Sequence, residues 1–324
     1  KRQVGRGVGE MSRFALTLVS AVLAFVVQGC FTGVESTPKI GNSELKKQNA
    51  SEPTAERLYL ADVATEPLSR WQRGKSFMVE DPKAMLNFGT SIGDSKLDKG
   101  DIIEFAEALP ALSPTGEATD LVFVKRGESD SRLVYRINAS QEELNRRDVI
   151  EVPFTVELGI AERLRGRLLG NTYYIMTPRW LDRGLKTVTK LKYIPVRIVD
   201  VLPGNSDFPV RIEFQPIDDA LNGQGNFSVY MSVGDGRRST RNFEHLFALG
   251  NPRDKYQAID DNMWRAIVES RLVKGMTRDQ ARLSLGSPND VLRGHDYSSA
   301  YERWEYDGGV FLLFRDGLLE DFRK

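Results

Sequence analysis

The sequence predicts an α+β protein. A β-rich middle region, a small barrel or sandwich with an SH3-like barrel as one form it could take, is followed by a two-helix plus three-stranded antiparallel meander module. Three observations carry this. Short runs of β-branched and aromatic residues, punctuated by Gly, Pro and Asn, dominate from Leu58 to about Gly250. Two helical stripes follow Ala258. Two strong hairpin signals, Asp307-Gly308-Gly309 and Asp316-Gly317, stand near the end.

In the β-rich part, Leu121 to Val124 and Leu133 to Ile137 flank a polar turn spanning Arg126 to Ser131. Further runs are Ile150 to Val156, Thr172 to Thr177, Tyr193 to Val201, Val210 to Phe214 and Phe227 to Val233. Gly170-Asn171 and Pro203-Gly204-Asn205 supply turns between them. Ser140 with Glu143 reads as a capping box opening a short helix to Arg147. Leu158, Ala161, Leu164 and Leu168 fit one face of a helix within Glu157 to Leu169. The expected division is 56–150 as one β-rich region and 151–255 as a small barrel-like region.

The last unit, 256–324, has a different pattern. Met263, Trp264, Ile267, Val268 and Leu272 form a helical stripe. Thr277 and Gln280 make a second capping box, Met276 and Ala281 a hydrophobic staple, and Gly286 with Pro288 stops that helix. Strands are expected at Tyr301 to Tyr306, Val310 to Phe314 and Leu318 to Phe322, with Asp290 to Arg293 as an extra edge strand.

The chain has 324 residues, enough for two or three cores. Lys plus Arg equals Asp plus Glu, 45 each, so no basic excess points to nucleic acid. Two histidines and one cysteine leave little for a nitrogen and sulfur metal site, and one cysteine cannot form an internal disulfide. No cofactor motif is present.

Residues Met11 to Cys30 combine a cationic start at Arg13, an apolar run from Phe14 to Val27, and a small residue before Cys30. Those are the parts of a signal peptide, and the run is shorter than the roughly 20 residues of a spanning helix. The end, Val27-Gln28-Gly29-Cys30, resembles the bacterial lipobox. That resemblance implies cleavage before Cys30 and acylation of its thiol, which would anchor the protein in membrane lipid. Residues 1–29 are then the signal peptide, with 1–10 an over-extended start before Met11, and 30–55 a polar lipidated tether. Phe31 stands where enteric-type lipoproteins kept at the inner membrane have Asp, so the analogy places this protein at the outer membrane, facing the periplasm.

The carboxy-terminal unit resembles the SmpA/OmlA family of outer-membrane lipoproteins that support the β-barrel assembly machinery. The matching residues are Gly275-Met276-Thr277, Gln280-Ala281-Arg282-Leu283-Ser284-Leu285-Gly286-Ser287-Pro288, Trp304-Glu305-Tyr306 and the turn Asp316-Gly317. The resemblance covers about a fifth of the chain and speaks for fold before function. The whole chain is similar to lipoproteins of Bacteroidetes that share the stretch Cys30 to Lys39, a resemblance that carries no activity with it.

Catalytic patterns are weak. Gly74-Lys75-Ser76 lacks the P-loop glycine five residues earlier, where Ser69 stands. Gly234-Asp235-Gly236 has Ser239 in the third glycine position of a dinucleotide fingerprint. Asp94 to Asp101 has Lys96 and Lys99 where a calcium loop needs oxygen and glycine. His245 and His295 are far apart, and no serine lies in a Gly-x-Ser-x-Gly elbow.

What remains is an interaction surface. Tyr301 falls on the strand face opposite Trp304 and Tyr306, together with Arg303 and Glu305. Tyr297, Tyr301, His295 and Arg303 are the candidate partner-binding residues, because exposed tyrosine and arginine are common at interfaces. The expected function is non-enzymatic: a lipid-anchored cell-envelope protein acting by protein–protein interaction in outer-membrane assembly or maintenance. The alternative is a lipid-tethered carbohydrate-binding protein or hydrolase whose site is invisible as a motif.

Overall fold

Among the described residues, three antiparallel sheets, each with its own apolar core, follow one another along the chain. The computed structural model describes residues 53–63, 65–92, 96–221, 223–234, 241–295 and 299–324. The expected signal peptide, Cys30, residues 31–52 of the expected tether and Tyr297 lie outside the described residues, while Thr54 and Ala55, expected as tether, instead cap and open the first helix. No helix among the described residues is long and apolar enough to cross a membrane.

Helix α1 (Ala55–Tyr59) starts at Thr54, whose side chain accepts from the Arg57 amide. The first sheet comprises β1 (Ser76–Val79), β2 (Phe88–Ile92), β3 (Ile102–Ser113), β4 (Gly116–Lys125), β5 (Glu128–Ile137) and β6 (Thr155–Glu157). Their order is β2-β5-β4-β3-β1-β6. One face buries Phe77, Ile103, Phe105, Leu121, Phe123 and Leu133. Helix α2 (Gln141–Asn145) adds Leu144 to that core.

Two details differ from the sequence reading. The turn between β4 and β5 is only Arg126-Gly127, because Gly127 at φ +89 turns the chain within two residues. The box at α2 forms by half: Ser140 accepts from the Glu143 amide, but the Glu143 carboxylate pairs with Arg147 at 2.6 Å.

The middle sheet is preceded by α3 (Leu158–Leu168), whose buried positions are Ile160, Ala161, Leu164 and Leu168. Three of the four expected stripe positions are correct; Ile160 replaces Leu158. The sheet contains β7 (Thr172–Ile175), β8 (Arg179–Leu181), β9 (Thr187–Thr189), β10 (Ile194–Pro203), β11 (Val210–Pro216) and β12 (Phe227–Met231). After α4 (Phe243–Leu246), β13 (Phe247–Ala248) completes it. The order β13-β7-β10-β11-β12-β8-β9 has two distinct ends, so this is a curled open sheet. Trp180 of β8 is fully buried, with the Phe214 and Phe227 rings 5.2 and 5.1 Å away.

The expected division at 151 does not fall where the sheets divide. β6 pairs with β1, so 155–157 belong to the first sheet. Conversely, Leu60 and Val63 pack into the middle core, and the Tyr59 hydroxyl lies 2.8 Å from that of Tyr173. The segment after α1 therefore straps both cores together.

The last unit has α5 (Asp261–Val268), α6 (Arg278–Leu285), β14 (Asp290–His295), β15 (Ala300–Glu305), β16 (Phe311–Arg315) and β17 (Leu318–Arg323). The strands form a four-stranded meander, with β14 as the extra edge strand. Thr277 and Gln280 make the capping box, and Met276 and Ala281 share the core under the helices. Gly275-Met276 also joins the sheet: the Gly275 amide donates to the Leu319 carbonyl, and Leu319 donates back to Met276. At Asp316-Gly317 both residues have positive φ, 49° and 86°, as a tight hairpin turn requires.

Candidate functional site

The candidate partner surface is the face of the carboxy-terminal sheet that the helices leave uncovered. α5 and α6 pack on the other face, over Trp304, Leu312, Phe314 and Leu319. Residues paired across neighbouring strands share a face, so the register gives the outer surface in three rows. The first contains Gly294, Tyr301, Arg315 and Leu318. The second contains Leu292, Arg303, Leu313 and Asp321, and the third Asp290, Glu305, Phe311 and Arg323.

This face is partly apolar and partly cationic. Leu292 and Leu318 are each 50% exposed. The Arg303 guanidinium stands 5.0 Å from the centre of the Phe311 ring and pairs with Glu305 at 3.2 Å. Arg315 pairs with Glu320 at 3.0 Å. Tyr301 lies across Gly294 so closely that a Cβ there would come within 2.4 Å of its ring and hydroxyl. A glycine on the edge strand thus provides the slot in which Tyr301 rests.

The sequence candidates do not converge. Tyr301 and Arg303 lie on the outer face as expected. His295 ends β14 opposite Ala300, on the face that carries Val291 and Arg293, so the sheet separates it from Tyr301 and Arg303. Tyr297 is outside the described residues. Leu292, Phe311, Leu313, Arg315 and Leu318 join the site without having been singled out. A two-residue turn at Asp316-Gly317 implies the pair Arg315–Leu318, and counting back by twos from Arg315 would have reached Leu313 and Phe311.

On the opposite face, Glu302 holds the sheet to α6. Its carboxylate accepts from the Trp304 indole at 3.0 Å and lies 3.3 Å from both Arg278 and Arg293. Burial pushes the Glu302 carboxyl up, but the indole hydrogen bond and the two arginines outweigh it and hold it below the usual range.

A concavity of about 690 Å³ lies between the first and middle cores. Phe77 and Val156 line it from one side and Ile160, Leu164 and Met231 from the other. At one wall Glu157 pairs with Lys75 at 2.5 Å, and Lys75 also reaches Glu66 at 3.4 Å. Arg163 joins at 3.8 Å from Glu66. Among the described residues, no group of three His, Cys, Asp or Glu is arranged to hold a metal ion.

No family model, no curated protein and no solved structure matches this chain.

Proposed function

We propose that this chain is a lipid-anchored protein of the cell envelope, tethered through Cys30 to the outer membrane on its periplasmic side. It acts by binding another envelope protein, in outer-membrane assembly or maintenance, and is not an enzyme. The single observation in favour of partner binding is the uncovered face of the carboxy-terminal sheet. Leu292 and Leu318 are half exposed there beside Tyr301, Phe311 and Arg303. Aromatic side chains and arginine on a rigid sheet form a contact surface that loses little conformational entropy on docking.

The test is a photo-crosslinking residue placed at Leu313, the centre of that face, in intact cells, with products identified by mass spectrometry. One recurrent envelope-protein adduct, lost when Leu292→Asp and Leu318→Asp are introduced together, is the expected result. Adducts no more frequent than from a site on the exposed side of α5 would overturn the reading.

A second reading, a lipid-tethered carbohydrate binder or hydrolase, has the concavity in its favour. Ligand sites are usually preformed hollows of roughly 300–1,000 Å³.

A further inference from the structure

The concavity between the two cores is lined by apolar side chains, by uncharged polar ones such as Asn205, Ser232 and Asn242, and by carboxylates. Leu60, Val63, Phe77, Ile160, Leu164 and Met231 line it, and all six are buried members of the two cores. Among the described residues, five carboxylates also line it, Glu56, Asp148, Glu151, Glu157 and Glu244, against one guanidinium, Arg57.

Three of the carboxylates already have work within the fold. Glu157 is neutralised by Lys75 at 2.5 Å. Glu56 accepts from the Leu249 amide at 3.3 Å, and Glu244 from Thr54 and Asn242. Asp148 and Glu151 are exposed, and no ion pair engages them among the described residues. They flank Val149 and Ile150, both of which line the cavity, so the two carboxylates sit where apolar wall meets solvent.

Apolar walls favour a ligand with an apolar body. A rim of like negative charges repels fatty-acid carboxylates and phosphates, and attracts a positive end. The volume, about 690 Å³, suits a small organic molecule. We propose that this cavity binds a small amphipathic cation, an apolar chain or ring carrying one amine, with the amine at Asp148 and Glu151. This site is separate from the carboxy-terminal face, so either assignment stands if the other fails.

The experiment is isothermal titration calorimetry of the full chain in zwitterionic lipid nanodiscs, with heats from empty nanodiscs subtracted. The probes are hexyltrimethylammonium, hexanoate and 1-hexanol. Saturable one-to-one binding of the ammonium is expected, with hexanoate at least ~10-fold weaker, since the rim repels its charge. The double variant Asp148→Asn, Glu151→Gln should weaken the ammonium roughly three- to tenfold and leave hexanol unchanged, as exposed charge pairs are each modest. Both positions are exposed, so circular dichroism should show the fold intact. Val233→Trp, which fills the cavity, should abolish binding of ammonium and hexanol alike. Absence of saturable ammonium heat, hexanoate binding as tight as ammonium, or no effect of the double variant would each overturn the proposal.

Discussion

The Lys192 ammonium donates to the backbone carbonyl of Ser284 at 2.6 Å, across the joint between the middle sheet and the carboxy-terminal module. It also donates to Leu283, which accepts the Tyr193 hydroxyl at 3.1 Å as well. These carbonyls end α6, where helix oxygens lack partners and carry partial negative charge. Lys192 is only 4% exposed, and its amide donates to the Val268 carbonyl at the end of α5. One residue pair, Lys192 and Tyr193, thus joins the middle sheet to both helices of the last module.

Burial pushes the Lys192 ammonium down to about 8, from 10.5 in the open chain. Between these values the unfolded chain holds the proton and the folded one releases it, so stability rises with pH across that window. Relative to Lys192→Met, the wild type should gain on the order of 3 kcal/mol between the two limits, at about 1.36 kcal/mol per pH unit. Urea unfolding of both proteins from pH 7 to 10.5 measures the gap, and parallel curves would refute the role of the buried charge.

Glu302 has the opposite sign. Its folded carboxyl lies below the unfolded value of 4.5, so its contribution is complete above that value and is lost as pH falls through the folded one. Its side chain is 14% exposed and accepts from the buried Trp304 indole, whereas Arg278 and Arg293 are 41% and 72% exposed and can turn to water. Glu302→Gln should cost about 1–3 kcal/mol near neutral pH, with the loss shrinking in acid. Thermal unfolding at both pH values decides it.

Gly294→Ala should displace Tyr301, because the new Cβ would sit 2.4 Å from its ring. The ring end of a tyrosine can swing outward, so the stability cost should be about 1 kcal/mol or less, at the low end of overpacking. The visible consequence is greater Tyr301 exposure, read from its nitration rate. An unchanged rate would mean that the ring does not rest on the glycine.

Cys30→Ala should abolish metabolic labelling of the protein with palmitate in growing cells, since the thiol is the expected acyl acceptor. Labelling that persists would refute the anchor and the compartment inferred from it.

Much of the last module was legible because its signals are local. A capping box, a glycine stop and an Asp-Gly hairpin each depend on a few neighbouring residues, and all three appear at Thr277, Gly286 and Asp316. β3 was not legible. Its sequence, IIEFAEALPALS, breaks alternation with a bulge between Phe105 and Glu107, and carries Pro110. The proline is tolerated because β1 covers only Ile102 to Glu104, leaving the distal half of β3 as an edge on that side. The candidate surface was half legible: alternation placed Tyr301 beside Arg303, but His295 went to the other face. The edge strand, expected to stop at Arg293, runs on to His295, and alternation turns that side chain to the face of Val291 and Arg293.

From residue order alone came the alternating and helical periods, the caps and turns, the α+β class and the expectation of an acylated Cys30. The periods, caps and turns rest on interactions within a few residues, and the Cys30 expectation on the resemblance of Val27 to Cys30 to a lipobox. Folding in three dimensions decided which strands share a sheet, that β6 joins β1, and that Leu60 and Val63 cross to the middle core. It also brought Lys192 to a helix end about ninety residues away, and Asp148 and Glu151 to the mouth of an apolar hollow. Such pairings are selected by burial of apolar surface among distant segments, a choice no local pattern encodes.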